Sequence, residues 1–204
     1  MLNSTELIDA LIFSGRLETP SIIKAFEKID RKYFVDKEFK EHTYRDAPLP
    51  IGKNQTISQP STVAFMLEHL APKKGEKILD IGSGSGWTTA LLCYIVGEKG
   101  SVQGLERVDE LVEIGKKNLA QFHFGKQCTI ALSDIVLGKP DETFDKILVS
   151  ASAQKTPDAL FSQLNIGGIL VVPVENSIYQ FKKISDTKIE TKEFPGFVFV
   201  PLIT

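Results

Sequence analysis

Cysteine, histidine and motifs built from them are scarce in this sequence, and their scarcity excludes several kinds of site. The two cysteines, Cys93 and Cys128, lie far apart and form no C-x-x-C pair, so neither a disulfide nor a zinc site is indicated. We expect both cysteines in the core. The three histidines have no spacing typical of a metal or catalytic site, and we therefore expect no bound metal.

Long basic and long apolar stretches are also absent. The chain carries 24 basic and 26 acidic residues, and no lysine or arginine block is long enough to follow a phosphate backbone. Nucleic acid is therefore not an expected partner. No apolar run approaches membrane-spanning length and the N-terminus has no basic start or apolar signal region, which predicts a cytoplasmic protein without a membrane partner.

The most informative stretch that is present spans residues 77–106. Its first apolar residues predict a buried strand, three glycines predict a tight turn, and residues 88–96 predict a helix. The glycines are Gly82, Gly84 and Gly86. Bare backbone in such a turn lets a ligand approach closely, so the stretch indicates half of a nucleotide-binding βαβ unit.

The spacing of the glycines and two acids indicates which ligand this turn binds. A dinucleotide site shows G-x-G-x-x-G, but Trp87 stands where the last glycine should be, which disfavours NAD. Asp80 precedes the turn and Glu106 ends the next strand, and a carboxylate can accept both hydroxyls of a ribose. S-adenosylmethionine (SAM) has a ribose and no phosphate and fits this pattern. The alternative is a tight βα connection with no ligand.

Apolar periodicity predicts the order of the remaining elements. It favours helices at 6–13, 20–29, 63–70, 108–119 and 157–164. It favours strands at 127–132, 144–150, 169–174, 178–184, 188–193 and 197–200. Residues 31–52 have no sustained period and are predicted to be irregular. Helices and strands alternate up to residue 174 and strands then follow one another, which predicts an α/β fold with a mostly parallel sheet and an antiparallel end.

Polar residues at the strand ends are expected to meet in one crevice. Asp80, Glu106, Asp134 and Ser150 all lie at or near carboxyl ends of predicted strands, where ligands of such sheets bind. The alternative for each residue alone is a solvated turn residue. For Asp134 this alternative is as good as a binding role, because aspartate is common in turns.

With these residues identified, the sequence resembles the protein-L-isoaspartate (D-aspartate) O-methyltransferase family. The similarity extends over nearly the whole chain, and the glycine turn is shared with many SAM methyltransferases, whereas TISQP and the terminal FVPL are more particular to this family. The matching segments are RKYFV (31–35), YRDAPLPIGKNQTISQP (44–60), ILDIGSGSGWTTAL (78–91), 102–119, 144–150, LNIGGILVVP (164–173) and FVPL (199–202).

The resemblance implies a SAM-dependent methyltransferase fold, Rossmann-like and doubly wound, with extra N-terminal helices. It implies one domain, residues 1–204, with a helical and substrate-loop segment (1–60), a SAM-binding core (61–174) and C-terminal strands (175–204). It also implies a carboxyl O-methyltransferase that methylates L-isoaspartyl residues in damaged peptides and proteins, which starts their repair. S-adenosyl-L-homocysteine would be the product, and we expect a monomer.

The resemblance also assigns roles to individual residues. Ser58 is implied as the catalytic residue, close to the substrate carboxylate. SAM is implied to contact Asp80, Gly82, Ser83, Gly84, Ser85, Gly86, Glu106, Asp134 and Ile135. The substrate peptide is implied to contact Ile57, Gln59, Ser150, Ala151 and Val200.

The chemistry explains why no catalytic histidine is needed, and it leaves Ser58 with two interpretations. A carboxylate with a pKa of about 4 is already ionised at neutral pH, so it can attack a methyl group without a general base. Ser58 would then donate a hydrogen bond that orients this carboxylate. Because Ser58 precedes Gln59-Pro60 and an apolar-periodic run, it fits equally well as an ordinary helix N-cap.

Two departures from the family pattern and two rival functions stay open at this point. Ile135 and Asn54 stand where the family usually has glycine, which would affect the adenine pocket and the flexibility of the substrate loop. One rival is a related carboxyl methyltransferase that acts on an aspartate of one dedicated peptide. The other is a SAM-binding adaptor that does not catalyse.

Overall fold

A computed structural model describes residues 3–202 as a seven-stranded sheet, five α-helices and a separate two-stranded hairpin. The sheet contains β3 (Lys77–Ile81), β4 (Ser101–Glu106), β5 (Cys128–Leu132), β6 (Phe144–Val149), β7 (Leu164–Val174), β8 (Ser177–Ser185) and β9 (Lys188–Pro195). The helices are α1 (Ser4–Phe13), α2 (Pro20–Lys28), α3 (Pro60–Leu70), α4 (Trp87–Val96) and α5 (Asp109–Ala120). The hairpin consists of β1 (Leu49–Gly52) and β2 (Gln55–Ile57).

The strand order determines where a ligand can bind. The order is β5-β4-β3-β6-β7-β8-β9, in which neighbours from β5 to β7 are parallel and β8 and β9 are added antiparallel. The chain runs outward from β3 to β4 and β5 and then returns to β6 on the other side of β3. In sheets of this type, ligands bind at the carboxyl ends of the strands where the order reverses. The predicted mostly parallel sheet with an antiparallel C-terminal portion is confirmed.

The central strands are apolar on both faces, because each face packs against a core of its own. Along β3, Ile78 belongs to a cluster shared with the five α-helices, whereas Leu79 and Ile81 belong to a cluster on the opposite face. The alternation follows from the two-residue period of a strand. The second face is covered by loops and by a short 3-10 helix, Asp158–Leu160.

This short helix corrects two predictions. The α-helix expected at 157–164 is wrong, since only Asp158–Leu160 is helical and β7 already begins at Leu164. The strand predicted at 169–174 begins earlier than expected and includes Gly167 and Gly168. They lie inside β7, where the pairing with β6 is irregular between Phe144 and Lys146. Glycine inside a strand often marks such an irregularity.

The segment predicted as irregular, 31–52, is more ordered than expected. It contains the 3-10 helices Arg31–Tyr33 and Lys37–His42 as well as strand β1. The hairpin turns through Lys53 and Asn54, whose φ angles of 53° and 56° are both left-handed. Two-residue hairpin turns require this conformation and commonly use Asn-Gly, so lysine in the first position hid the turn. Asparagine tolerates left-handed backbone, which accommodates Asn54 where the family usually has glycine.

The two cysteines lie in the core as expected, but the expectation that they are unpaired is wrong. Cys93 in α4 and Cys128 in β5 form a disulfide with Cα atoms 6.0 Å apart, a normal separation for such a bond. They are 35 residues apart in sequence and belong to no motif, so the sequence contained no signal for this pairing. The bond ties the helix after the glycine turn to the edge strand of the sheet.

The N-terminal helices are confirmed and are fastened to the rest of the chain by a carboxylate. Helix α2 starts at Pro20, as predicted, and Thr19 is in the N-cap position, but the Thr19 side chain makes no capping bond. Instead Glu68 of α3 accepts hydrogen bonds from the backbone N–H groups of Glu18 and Thr19 and from the Thr19 hydroxyl. Over residues 3–202, no helix is both long enough and apolar enough to cross a membrane.

Candidate active site

Three connected depressions lie at the carboxyl ends of β3, β4 and β6. The main cleft is lined by Ile51, Gln55, Thr56, Ile81, Gly82, Gly84, Leu105, Glu106, Arg107, Val108, Ser133, Leu137, Ser150, Ala151, Val200, Pro201 and Leu202. The inner pocket is lined by Thr56, Ile57, Ser58, Val63, Gly82, Ser83, Gly84, Ser85, Trp87, Thr88 and Ser150. The outer cleft is lined by Pro48, Thr56, Ser58, Gln59, Thr62, Ser150, Val198, Phe199 and Val200.

The glycine turn forms the floor where the main cleft and the inner pocket meet. After β3 ends, the backbone N–H groups of Gly82 and Ser83 both donate to the carbonyl of Leu105, at 2.8 and 3.0 Å, so the turn bends over the neighbouring strand β4. A Cβ atom on Gly84 would lie 3.1 Å from Cδ1 of Ile51, and the φ of Gly84 is left-handed. The turn thus needs glycine at this position to contact the hairpin.

The third glycine of the turn has a packing role. Gly86 is buried, and a Cβ atom there would lie 3.1 Å from the carbonyl oxygen of Gly115 in α5. Of the predicted SAM-binding residues in the turn, Gly82, Ser83, Gly84 and Ser85 border a depression. Gly86 supports them from below by letting α5 approach.

Glu106 reaches the wall of the main cleft from the end of β4. Its Oε2 accepts from the N–H of Gly84 at 2.8 Å, and its Oε1 accepts from the N–H groups of Arg107 and Val108 at 2.7 and 3.0 Å. The residue is 8% exposed. Three backbone donors therefore hold the carboxylate in one orientation beside the glycine turn.

Asp80 lies beneath the turn and not on the wall of the cleft. It is fully buried, and its Oδ2 accepts from the hydroxyls of Thr88 and Thr89 at 2.9 and 2.6 Å. Its other oxygen, Oδ1, has no partner among residues 3–202. Asp80 thus joins the end of β3 to the first turn of α4, and a contribution to cofactor binding would act through this turn.

The pKa of Asp80 leads to a prediction about stability. Burial raises this pKa from 3.8 to about 6, although hydrogen bonds from Thr89 and Thr88 lower it. A raised carboxyl pKa gives stability that is present below pH 3.8 and is lost as the pH rises through about 6. The free energy of unfolding of the wild type relative to Asp80→Asn should therefore fall by at most about 3 kcal/mol between about pH 4 and pH 7.

Urea unfolding of the wild type and Asp80→Asn across this pH range measures the difference. Asp9→Asn, which removes a carboxylate from the exposed side of α1, serves as the matched control. If the Asp80→Asn curve ran parallel to the wild-type curve, the pKa of Asp80 would not be raised.

Ser58 does not cap the helix that follows it. Helix α3 begins at Pro60 with Gln59 in the N-cap position, so the N-cap interpretation of Ser58 is wrong. Asp46 takes over this role from a distance, because its carboxylate accepts from the N–H of Ser61 at 2.8 Å and from Nε2 of Gln59 at 3.0 Å. The hydroxyl of Ser58 is bonded to none of the described residues, and Ser58 borders both the inner pocket and the outer cleft.

Two hydroxyl residues border all three depressions. Thr56 in β2 and Ser150 just after β6 line the main cleft, the inner pocket and the outer cleft. The Oγ atom of Ser150 is buried and has no hydrogen-bond partner in the described part of the chain. Ser150 was predicted as a site residue, and Thr56 lies in the segment 44–60 that carries the family resemblance. The strand period explains why Thr56 faces the site, because the neighbouring Ile57 is 4% exposed and residues 56 and 58 therefore face the other way.

The C-terminal segment covers the main cleft but is not the strand predicted at 197–200. Its backbone bonds to Asn176 through the N–H of Phe197 at 3.0 Å, and to Ser152, whose N–H donates to the carbonyl of Val200 and whose carbonyl accepts from the N–H of Leu202, both at 2.8 Å. Val200, predicted as a substrate residue, lines both the main and the outer clefts, and Ala151 lines the main cleft. Pro201 and Leu202, which belong to the FVPL segment that carries the family resemblance, also line the main cleft.

The predicted adenine-side residues stand at the rim. The main cleft is walled here by Ser133 and Leu137. Asp134 and Ile135 between them are exposed, and the Oδ1 of Asp134 accepts from the N–H of Ile135 at 2.7 Å. The structure thus brings Ser58, Glu106, Ser150 and the glycine turn together, but it leaves Asp134 and Ile135 outside the wall. Within residues 3–202, no three His, Cys, Asp or Glu side chains are grouped to hold a metal ion.

Comparisons with known proteins find one family that matches nearly the whole chain. Residues 2–204 match the family model described as protein-L-isoaspartate(D-aspartate) O-methyltransferase. A protein-L-isoaspartate O-methyltransferase of Flavobacterium psychrophilum is 44% identical over 203 residues, which cover 97% of this chain and 92% of that protein. A protein-L-isoaspartate O-methyltransferase of Ignicoccus hospitalis is 38% identical over 204 residues, which cover 97% of this chain and 96% of that protein.

A solved structure supports the same likeness at the level of the fold. The crystal structure of a protein-L-isoaspartate O-methyltransferase from Plasmodium falciparum, in complex with S-adenosyl-L-homocysteine, superposes with a TM-score of 0.90 at 26% identity. The superposition covers 100% of this chain and 99% of that one.

Proposed function

This chain belongs to the protein-L-isoaspartate(D-aspartate) O-methyltransferase family, and we propose that the three connected depressions form its active site. The protein is a SAM-dependent methyltransferase that methylates isoaspartyl residues of peptides and proteins. In the site proposed here, the main cleft holds SAM and the outer cleft admits the isoaspartyl residue. The observation that carries this assignment is the shared wall of Thr56 and Ser150, where the cleft with Glu106 meets the cleft with Ser58.

The residues of the main cleft fit the chemical groups of SAM. Glu106 presents a carboxylate, already oriented by backbone donors, that can accept hydrogen bonds from two ribose hydroxyls. Gly82 and Gly84 expose bare backbone for the methionine end. Leu105, Val108 and Leu137 supply apolar surface for the adenine ring. When bound, SAM supplies a methyl group activated by a positively charged sulfur.

On the substrate side, the chain needs to orient a nucleophile more than to create one. An isoaspartyl carboxylate with a pKa of about 4 is ionised at neutral pH, so no residue has to remove a proton. Ser58, whose hydroxyl is uncommitted, donates a hydrogen bond that aligns this carboxylate with the methyl group. Alignment of the reactants and exclusion of water are the means of catalysis left to the protein.

The other residues proposed to contact the peptide are distributed over all three depressions. Gln59 and Val200 border this cleft beside Ser58. Ile57 lines the inner pocket with an apolar side chain, and Ala151 lines the main cleft next to Ser150. The C-terminal segment, held by backbone hydrogen bonds to Asn176 and Ser152, closes this side of the site and helps to exclude water.

Transfer of methyl groups to aged proteins tests catalysis against mere binding. Carboxyl methyl esters are hydrolysed by mild alkali, so an aged protein incubated with the enzyme and labelled SAM should release labelled methanol. A freshly prepared sample of the same protein, with few isoaspartyl residues, is the control and should release far less. SAM binding without methanol from any aged protein would instead support the adaptor alternative.

We also propose that the protein acts as a single-domain monomer in the cytoplasm, with neither nucleic acid nor a membrane as an obligate partner. One core cluster joins α1 and α2 to the SAM-binding core and to β8, which supports one domain. The net charge of -2 supports the exclusion of nucleic acid. Light scattering after size exclusion should give a mass of 22.6 kDa.

A further inference from the structure

Arg31 is a buried cation beneath the loop that carries Ser58. It begins the 3-10 helix Arg31–Tyr33 and is 2% exposed. Its Nη1 donates to the backbone carbonyls of Thr43 at 2.7 Å and Arg45 at 3.3 Å. Its Nη2 donates to the carbonyls of Ala47 at 3.0 Å and Ser58 at 3.1 Å. One guanidinium therefore binds both ends of the segment 43–58.

The other contact of Arg31 is with the helix that follows the glycine turn. The guanidinium carbon lies 5.4 Å from the ring centroid of Trp87, a distance typical of a cation–π contact. Trp87 is the first residue of α4 and donates from Nε1 to the carbonyl of Ile29 at 3.2 Å. Arg31 is thus placed between the start of α4 and the loop that carries Ser58.

The charge of Arg31 is compensated in an unusual way. Its four acceptors are all backbone carbonyls, and buried cations are more often paired with a carboxylate. Burial lowers its pKa to about 10, with the nearby charge of Asp46 acting in the opposite direction, so the group stays charged at neutral pH. A planar group with donors on a fixed fork can hold several carbonyls at set positions, which a flexible ammonium does not do as well.

We propose that Arg31 is a positioning residue for methyl transfer, which holds Ser58 in place by fixing the carbonyls at both ends of the loop 43–58. The proposal deepens the role given to Ser58 above and rests on it. Arg31 touches no depression that would hold a reactant, so it acts through the backbone of Ser58. Its loss should loosen the substrate side of the site more than the SAM side, because most of the main cleft is built on β3, β4, the glycine turn and the segments after β5 and β6, and the loop adds only Ile51, Gln55 and Thr56.

Three variants test this role. Arg31→Met keeps an apolar stem over Trp87 and removes every donor, and Arg31→Lys keeps the charge on a single nitrogen. Arg45→Met is the matched control, because it removes a positive charge from the same loop at an exposed position. The measurements are kcat and KM with an isoaspartyl peptide, Kd for SAM, and amide hydrogen exchange across the chain.

The expected result separates positioning from general stability. Arg31→Met should lower kcat about 30-fold, since misplacement of a reacting group is costly, while Kd for SAM changes less than about threefold. Amide exchange should rise in residues 43–58 and stay as in the wild type in β3 and α4. Arg31→Lys should lie between the wild type and Arg31→Met, and Arg45→Met should stay within about twofold of the wild type.

Two results would overturn the proposal. One is a kcat for Arg31→Met within about threefold of the wild type. The other is a loss of SAM affinity in proportion to the loss of kcat, with faster exchange over the whole chain, which a purely structural role predicts. If Arg31→Met does not fold, Arg31→Lys decides by the same criteria. If the wild type itself transfers no methyl group, the proposed function fails, and exchange in residues 43–58 alone then decides whether Arg31 holds the loop.

Discussion

Replacing Ser58 with alanine is expected to lower kcat for methyl transfer to an isoaspartyl peptide about 100-fold, the usual cost of losing one oriented donor in an active site. The Kd for SAM should stay within about twofold of the wild type, since Ser58 borders the inner pocket and the outer cleft but not the main cleft. The free energy of unfolding should change by less than about 0.5 kcal/mol, because the Ser58 hydroxyl caps no helix.

Ser61→Ala is the matched control for this substitution. Ser61 lies in the first turn of α3, three residues from Ser58, and contributes only its backbone N–H to the bond with Asp46. Its kcat should be that of the wild type. Steady-state kinetics with saturating SAM and calorimetric SAM titrations measure both variants. A Ser58→Ala enzyme with wild-type kcat would remove Ser58 from the chemistry.

Replacing Glu106 with glutamine is expected to raise the Kd for SAM about 100-fold, because hydrogen bonds to a charged acceptor are worth about 1.5–3 kcal/mol each. In the wild type, backbone N–H groups donate to both carboxylate oxygens, from Gly84 on one side and from Arg107 and Val108 on the other. The glutamine amide keeps one acceptor oxygen but places an NH2 group against one of these sets of donors. With SAM at saturation, kcat should recover much of its wild-type value, since the group that aligns the substrate is untouched.

Glu113→Gln controls for the loss of one negative charge from the chain. Glu113 lies on α5, is exposed and pairs with Lys116 in the neighbouring turn of the helix. Its SAM affinity should match the wild type. A Glu106→Gln enzyme that bound SAM as tightly as the wild type would show that Glu106 serves the glycine turn alone and does not contact the ribose.

Local signals were sufficient to predict the strand, the glycine turn and the helix on the SAM side of the proposed site. The strand before Gly82, the turn itself and the helix after it depend on residues adjacent in sequence, and Glu106 follows from where β4 ends. The same logic placed Ser150 at the end of β6. Such features are predictable because the apolar period of a strand and the conformational demands of a turn are both local.

The substrate half depends on contacts between residues that are distant in sequence, and local patterns do not reveal these. Ser58 reads as a helix cap until Asp46 is found to cap α3 from 15 residues away. Arg31 reads as a surface residue before a loop, and only the fold brings the carbonyls of Thr43 and Ser58 to it.

Two further features that the sequence did not reveal also depend on distant contacts, whereas one error has a local cause. The contact of Gly86 with Gly115 and the pairing of Cys93 with Cys128 each join two elements of the finished fold. The short helix at Asp158–Leu160 was overestimated because an apolar pattern of this length fits a helix or a buried turn equally well.

A pair of isomeric peptides tests whether the protein methylates isoaspartyl residues and not normal aspartyl residues. The two peptides have one sequence and differ only in whether a single aspartyl residue is linked through its α-carboxyl or its β-carboxyl group. We expect SAM-dependent methyl transfer to the isoaspartyl peptide and none to the normal aspartyl peptide, and we expect Ser58→Ala to slow the first reaction. Equal methylation of both isomers, or methylation of the aspartyl isomer alone, would contradict this expectation.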